Sequence, residues 1–364
     1  MTQRIPLTEP DIGEEELKNV IAAVKSGWVS SKGPFIGEFE NNFSNYIGTK
    51  YGIATSNGTN ALHLALVALG IGKGDKVLVP SLDFVSVANA VTFVGAKPVF
   101  LDSHPEYWCV DPSKIVENID KKTKALIAVH LYGHPCDMDK ILKIATDYDL
   151  HIIEDCAEAH GSEYKSKKTG SFSTISCFSF YGNKIITTGE GGMCLTNDEQ
   201  LSERMKILRD HGMNPNRKYW HDVIGFNYRM TNLQAALGVA QLRKIDQLIN
   251  KKRETAKTYK KFIKDLPSIT PAPEMPWAKS VFWLYSILVK AVIRDKIIAN
   301  FEKKGIESRP FFYPTHILPP YKSNLKLPIS EELSTRGLNL PSGPRLSENH
   351  IADIMGVLKE TLAS

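Results

Sequence analysis

The chain of 364 residues has no stretch approaching the ~20 apolar residues that a membrane span requires. Its first residues, MTQRIPLTEPDIGEEE, lack the apolar core of a secretory signal. A soluble, cytoplasmic protein without membrane contacts is expected. Cysteine is scarce: Cys109, Cys136, Cys156, Cys177 and Cys194 are odd in number, and no two are spaced as CxxC. That argues against a disulfide framework and against a zinc site, so reduced, buried thiols and no metal are expected. Charge of one sign is also lacking. With 45 Lys+Arg against 40 Asp+Glu the net charge is +5. The short basic run at Lys251, Lys252 and Arg253 reads as a solvated helix face, not a nucleic-acid patch. The mild excess suits a substrate carrying phosphates. There is no internal repeat and no low-complexity segment.

What is present, from about residue 50 to 200, is an alternation of short apolar runs with amphipathic segments. Helices are expected over 59–70, 85–95 and 137–149. Strands are expected over 76–80, 97–102, 124–133, 151–157, 174–182 and 191–197. The strands are nearly continuous apolar runs, which points to burial on both faces. The fold class is therefore α/β, a mostly parallel sheet sandwiched by helices. Ligands bind such sheets beyond the carboxyl ends of their strands. After 233–266, read as two helices or one bent one, the texture changes. PSITPAPEMP (267–276) reads as a linker, VFWLYSILVK (281–290) as a half-buried strand and 294–305 as a helix. The expected division is a large domain over 1–250 and a smaller α+β domain over 251–364.

Four features fall at strand ends or helix starts. SNGT (56–59) opens a helix, where Gly58 allows close backbone approach and free N–H groups attract an anion. Thr59 adds a hydroxyl. Asp155 ends the strand HIIED, where an unpaired acid is costly unless it meets a cation such as a pyridinium. Lys184 lies just past the strand end in FSFYGNKIITTGEGG, preceded by Ser179. A lysine there can lose solvation and become a nucleophile for carbonyls. FNYRM (226–230) places Asn227 and Arg229 ahead of a long helix. Each feature alone also fits a plain structural role, a helix cap, a salt bridge or a surface lysine. GEGG does not match a nucleotide triphosphate loop. Together, an anion cradle, an acid and a lysine are the three fixed points needed to hold pyridoxal phosphate (PLP).

These segments carry a resemblance. SNGTNALHLAL, EDCAEAHG, SFYGNKIITTGEGGM and YWHDVIGFNYRMTNLQAALG resemble the DegT/DnrJ/EryC1/StrS sugar aminotransferases, PLP enzymes of fold type I (aspartate aminotransferase-like). The likeness extends from GWVSSKGPFIGEFE (27–40) to RPFFYPTH (309–316). It implies that Lys184 is the Schiff-base lysine and proton shuttle, and that Asp155 partners the pyridine nitrogen. It places Gly58, Thr59 and Ser179 at the cofactor phosphate, Phe84 against the ring and Glu158 near the ring hydroxyl. Asn227 matches a residue that reaches the phosphate of the other subunit, which implies a homodimer with shared active sites. Arg309, Tyr313 and His316 match the segment that contacts the nucleotide sugar, and Arg309 would pair with a diphosphate. The implied substrates are a nucleotide-diphosphate keto sugar and L-glutamate. EDCAEA, SFYGNK and RPFFYP are most similar to members acting on GDP-4-keto-6-deoxymannose; relatives using UDP- or dTDP-linked sugars share much the same motifs. Family members that are dehydratases carry His in place of the lysine, so Lys184 favours transamination.

Overall fold

Short, largely apolar segments of five to seven residues build the central sheet. The computed structural model describes residues 4–363. In the N-terminal part, α1 (Glu14–Lys25) and α2 (Pro34–Ile47) precede β1 (Tyr51–Thr55), α3 (Gly58–Ala68), β2 (Lys76–Pro80), α4 (Ser86–Phe93) and β3 (Lys97–Leu101). Then come β4 (Thr123–Val129), α5 (Met138–Asp147), β5 (His151–Asp155) and the two-residue strands β6 (Glu163–Tyr164) and β7 (Lys167–Lys168). β8 (Ile175–Ser179), β9 (Gly192–Thr196) and α6 (Glu199–Arg209) complete the sheet region. The seven-stranded order is β1-β9-β8-β5-β4-β2-β3. β9 runs antiparallel to both neighbours, and every other pairing is parallel. β9 was legible as a strand, but its reversed direction was not.

The sheet is covered on both faces, as its apolar strands require. One face packs on α3 and α4 through Ile53, Leu64, Val79, Val91 and Ile127. The other packs on α2 and α5 through Phe39, Phe43, Leu78, Leu126 and Ile141. From β2 the chain steps outward to β3, then returns past β2 to β4, β5 and β8. That reversal opens a crevice beyond the carboxyl ends of β2, β4 and β5, the place where such sheets bind ligands.

The 233–266 stretch is two helices, α7 (Asn232–Arg243) and α8 (Ile245–Ile263), parted at Lys244. The residue 250 boundary therefore falls inside an unbroken helix. Beyond it lie β10 (Ala278–Lys279), β11 (Tyr285–Leu288), α9 (Ala291–Lys303), β12 (Arg309–Pro310), α10 (Pro328–Arg336), β13 (Gly337–Leu340) and α11 (Glu348–Ala363). β11, β13 and β12 form an antiparallel sheet with its own apolar core, in which Tyr259, Ile287, Phe301 and Leu358 pack together with Ile5 from the N-terminal segment. Two expectations change here. β11 is buried along its whole length, not half-buried. The segment 267–276 is no free linker: Thr270 and Leu288 exchange backbone hydrogen bonds of 2.9 Å, and Ile269 and Ala272 are buried.

All five cysteines are free and buried. No helix among the described residues is long and apolar enough to cross a membrane.

Candidate active site

The carboxyl ends of the strands carry the polar groups. β1 ends at Thr55 and turns straight into α3, whose N-cap Asn57 accepts from the Asn60 N–H at 2.8 Å. The N–H groups of Gly58 and Thr59 stay at the open end of the helix, where they favour an anion. Gly58 is needed because a Cβ there would lie 2.7 Å from the Cβ of Ser179, at the end of β8. Helix start and serine thus form one surface.

β8 leads into a hairpin loop that carries Lys184 and returns as β9. Phe180 N–H donates to Gly191 O at 2.8 Å, and Thr188 N–H donates to Phe180 O at 2.9 Å. The Lys184 N–H donates to Tyr181 O at 2.9 Å. The backbone beneath the lysine is therefore tied to the sheet on both sides. Its side chain is 12% exposed, with Nζ 3.8 Å from Glu158 Oε1 and 4.0 Å from the centroid of the Trp283 ring. Trp283 is held in turn: its indole N–H donates to Asn183 O at 2.7 Å, and the buried Lys252 Nζ donates to its carbonyl at 2.8 Å.

Asp155 closes β5, buried, with Oδ1 accepting from the Ala157 N–H at 2.9 Å. Burial pushes its carboxyl above the usual range, against the opposing pull of the Ala157 N–H and the Lys184 charge. Burial raises Glu158 to about 7, while Lys184 and the Tyr132 N–H, which donates to Oε2 at 2.7 Å, act to lower it. Behind them, Glu154 accepts from His130 Nε2 at 3.0 Å and from the N–H groups of Gly170, Phe172 and Ser173. His130 Nδ1 accepts from the Cys136 N–H at 3.0 Å, so the proton sits on Nε2. His130, Glu154 and Cys156 lie within metal-ligating reach of one another. The histidine's lone pair and both carboxylate oxygens are already engaged, so these two residues brace the strand ends.

These groups face one cleft of about 620 Å³. The structure brings Gly58, Thr59, Phe84, Asp155, Glu158, Ser179, Lys184 and Arg309 together on its wall. Phe84 is half exposed across its mouth, its ring 5.9 Å from that of Phe312. Arg309 also pairs with Glu307 at 3.1 Å. Three other expected site residues lie elsewhere. Asn227 is exposed on the 211–229 loop, where its Oδ1 accepts from Arg229 Nε at 3.0 Å. Tyr313 is exposed outside the cleft lining. His316 is wholly buried and turned away: Nδ1 contacts Ser81 Oγ at 2.7 Å and Nε2 contacts Glu331 at 3.2 Å. Both ring nitrogens are engaged, so His316 braces the loop after β2 and the expectation of a sugar contact does not hold for it. Asp83 and Trp283 are among the wall residues that were not foreseen. Asp83 ends the apolar run after β2 much as Asp155 ends β5, a signal that was available. Trp283 stood in a segment read only as a strand.

The residues fit PLP. A helix start and a serine hydroxyl meet at a glycine that admits close approach, a buried acid lacks a cationic partner of its own, and a lysine amine faces the space between them. This arrangement on this sheet defines a PLP-dependent aminotransferase of fold type I. The chain belongs to the DegT/DnrJ/EryC1/StrS aminotransferase family, which it matches over residues 10–359. It is 47% identical over 361 residues to the GDP-perosamine synthase of Escherichia coli O157:H7, covering 98% of each chain. It is 45% identical to the GDP-perosamine synthase of Caulobacter vibrioides, covering 99% of this chain and 98% of that one. Among solved structures, the PLP form of a putative sugar aminotransferase from Streptococcus pneumoniae superposes with a TM-score of 0.93 at 28% identity, covering 99% of this chain and 98% of that one.

Proposed function

We propose that the protein transfers an amino group from L-glutamate to the C4 ketone of GDP-4-keto-6-deoxymannose, giving GDP-perosamine. One observation carries the transamination: Lys184, Asp155 and the α3 start share a single cleft. Likeness across nearly the whole chain to two GDP-perosamine synthases supports the choice of sugar.

When bound, PLP supplies a reactive aldehyde and a ring that accepts the electrons left behind when a proton leaves carbon. The N–H groups of Gly58 and Thr59, with the Ser179 hydroxyl, hold its phosphate. Asp155 keeps a proton on the ring nitrogen; the cost of burying its charge is offset by the positive ring. Phe84, on the cleft wall, would cover one face of the ring. Lys184 would hold the cofactor in the resting enzyme. Once free, it moves a proton off the Cα of glutamate and later delivers one to C4 of the sugar. The Trp283 face and the Glu158 carboxyl hold its ammonium in place while it waits. Arg309, at the mouth, pairs with the diphosphate. Asn227, exposed and outside the lining of its own cleft, would reach the phosphate bound by a second copy, which makes the proposed working unit a homodimer. A panel of GDP-, UDP- and dTDP-linked 4-keto sugars with glutamate, read by mass spectrometry, tests the assignment. A GDP-4-amino sugar is expected. Amination of only the UDP or dTDP sugars would overturn it, and a deoxygenated product without nitrogen would indicate a dehydratase.

A further inference from the structure

A third acid faces the cofactor site, and the mechanism above does not use it. Asp83 follows β2 on the cleft wall, one residue before Phe84, and is only 5% exposed. Its Oδ2 is fully buried and has no hydrogen-bond partner. An unsatisfied buried carboxyl oxygen costs free energy unless a ligand or a proton completes it. Among the described residues, no ion pair is formed by it. Its charged neighbours are the carboxyls of Asp155 and Glu158 and the ammonium of Lys184. Asp155 has the Ala157 N–H, and Glu158 has the Tyr132 N–H and the lysine. Three carboxyls in one desolvated pocket around one lysine cannot all be ionised; the least compensated keeps its proton. Burial and the two flanking acids push Asp83 well above the usual carboxylate range, against smaller opposing effects of the Phe84 N–H and Lys184.

We propose that Asp83 works as a neutral carboxylic acid, an O–H donor to the bound cofactor from the cleft wall. A second negative charge there would compete with Asp155 for the ring's positive charge. A neutral donor adds a hydrogen bond and leaves the field of Asp155 intact. The inference rests on the PLP assignment but not on the choice of sugar.

The test uses full-length protein stripped of cofactor, with PLP titrated back and no sugar or glutamate present. Asp83→Asn keeps the shape, the neutrality and a donor, and should bind PLP within roughly threefold of wild type. Asp83→Ala removes the donor and should weaken binding roughly tenfold to a hundredfold. Thermal melts of both apo proteins show whether the fold is kept. The infrared spectrum of wild-type apo protein should carry a protonated-carboxyl C=O band that Asp83→Asn lacks. Absence of that difference band would overturn the proposal, as would an Asn variant that binds as weakly as Ala. An Ala variant as tight as wild type would overturn it too. Wild-type protein that takes up no PLP would sink the functional assignment and this inference together, whereas failure on the GDP sugar alone would leave the Asp83 result standing.

Discussion

Gly58→Ala is the sharpest test of the phosphate turn. The added Cβ would lie 2.7 Å from Ser179 Cβ and 3.3 Å from its Cα. Ser179 cannot step aside easily, because it ends β8 and pairs with Gly192 of β9. Alanine at the start of α3 gains up to about 1 kcal/mol of helix propensity. Overpacking of this severity costs about 1–3 kcal/mol. The net loss is about 1 kcal/mol, a Tm decrease of about 1–3 °C in a chain of this size. Cofactor binding should suffer more. Wedging α3 from Ser179 separates groups that hold one phosphate, and losing one charge-assisted hydrogen bond, about 1.5–3 kcal/mol, weakens PLP binding roughly 10- to 100-fold. Differential scanning fluorimetry of apo protein and fluorescence titration with PLP measure the two effects. Gly58→Ala combined with Ser179→Gly removes the opposing Cβ. It should regain stability, with a coupling of about 1 kcal/mol, but not full affinity, since the hydroxyl is gone. Wild-type Tm and affinity in the single variant, or a double variant no better than additive, would refute the close-approach argument.

Glu158 makes stability depend on pH. Burial raises it from 4.5 to about 7, so between those values the folded chain keeps a proton that the unfolded chain releases. The stabilisation is complete below the unfolded value and is lost as pH rises towards about 7, on the order of 3 kcal/mol in all. Apo wild type should therefore lose Tm relative to Glu158→Gln across about pH 5 to 8, and parallel curves would contradict this. Arg309→Ala should raise KM for the nucleotide sugar roughly tenfold while the glutamate half-reaction keeps its rate; equal slowing of both would move Arg309 out of the diphosphate site. Mixing inactive Lys184→Ala with Asn227→Ala protein should restore up to roughly a quarter of wild-type turnover through dimers with one complete site. A mixture no more active than its components would argue against sites shared across subunits.

Much of this arrangement can be read in one dimension because continuous apolar runs mark strands buried on both faces. KVLVP, HIIED and TISCFSFYG fall on β2, β5 and β8 to within a few residues. A polar residue that closes such a run is conspicuous, which is why Asp155 and Lys184 stood out. Strand direction was not legible: an apolar run packs alike either way up, so nothing marked β9 as the reversed strand of a mostly parallel sheet. Nor was contact across the chain. Thr270 pairs with Leu288 although its segment is rich in proline, because edge pairing uses only alternate backbone groups. His316 looked like a sugar ligand beside Arg309 and Tyr313, but its neighbours Ser81 and Glu331 are far away in sequence. Trp283 meets Lys184 across 99 residues, and no local pattern announces such a pairing.

The hairpin beneath Lys184 has a consequence for how the enzyme must move. With both legs bonded into the sheet, the loop cannot swing the amine between two reaction partners. The arc open to it is what the four methylenes of one side chain can sweep from a fixed pivot. In the proposed reaction the amino donor and the keto sugar must therefore present their reacting carbons at nearly the same point in space, one after the other. The breadth of the cleft then serves the parts of the two substrates that differ, and the shared point of attack stays narrow.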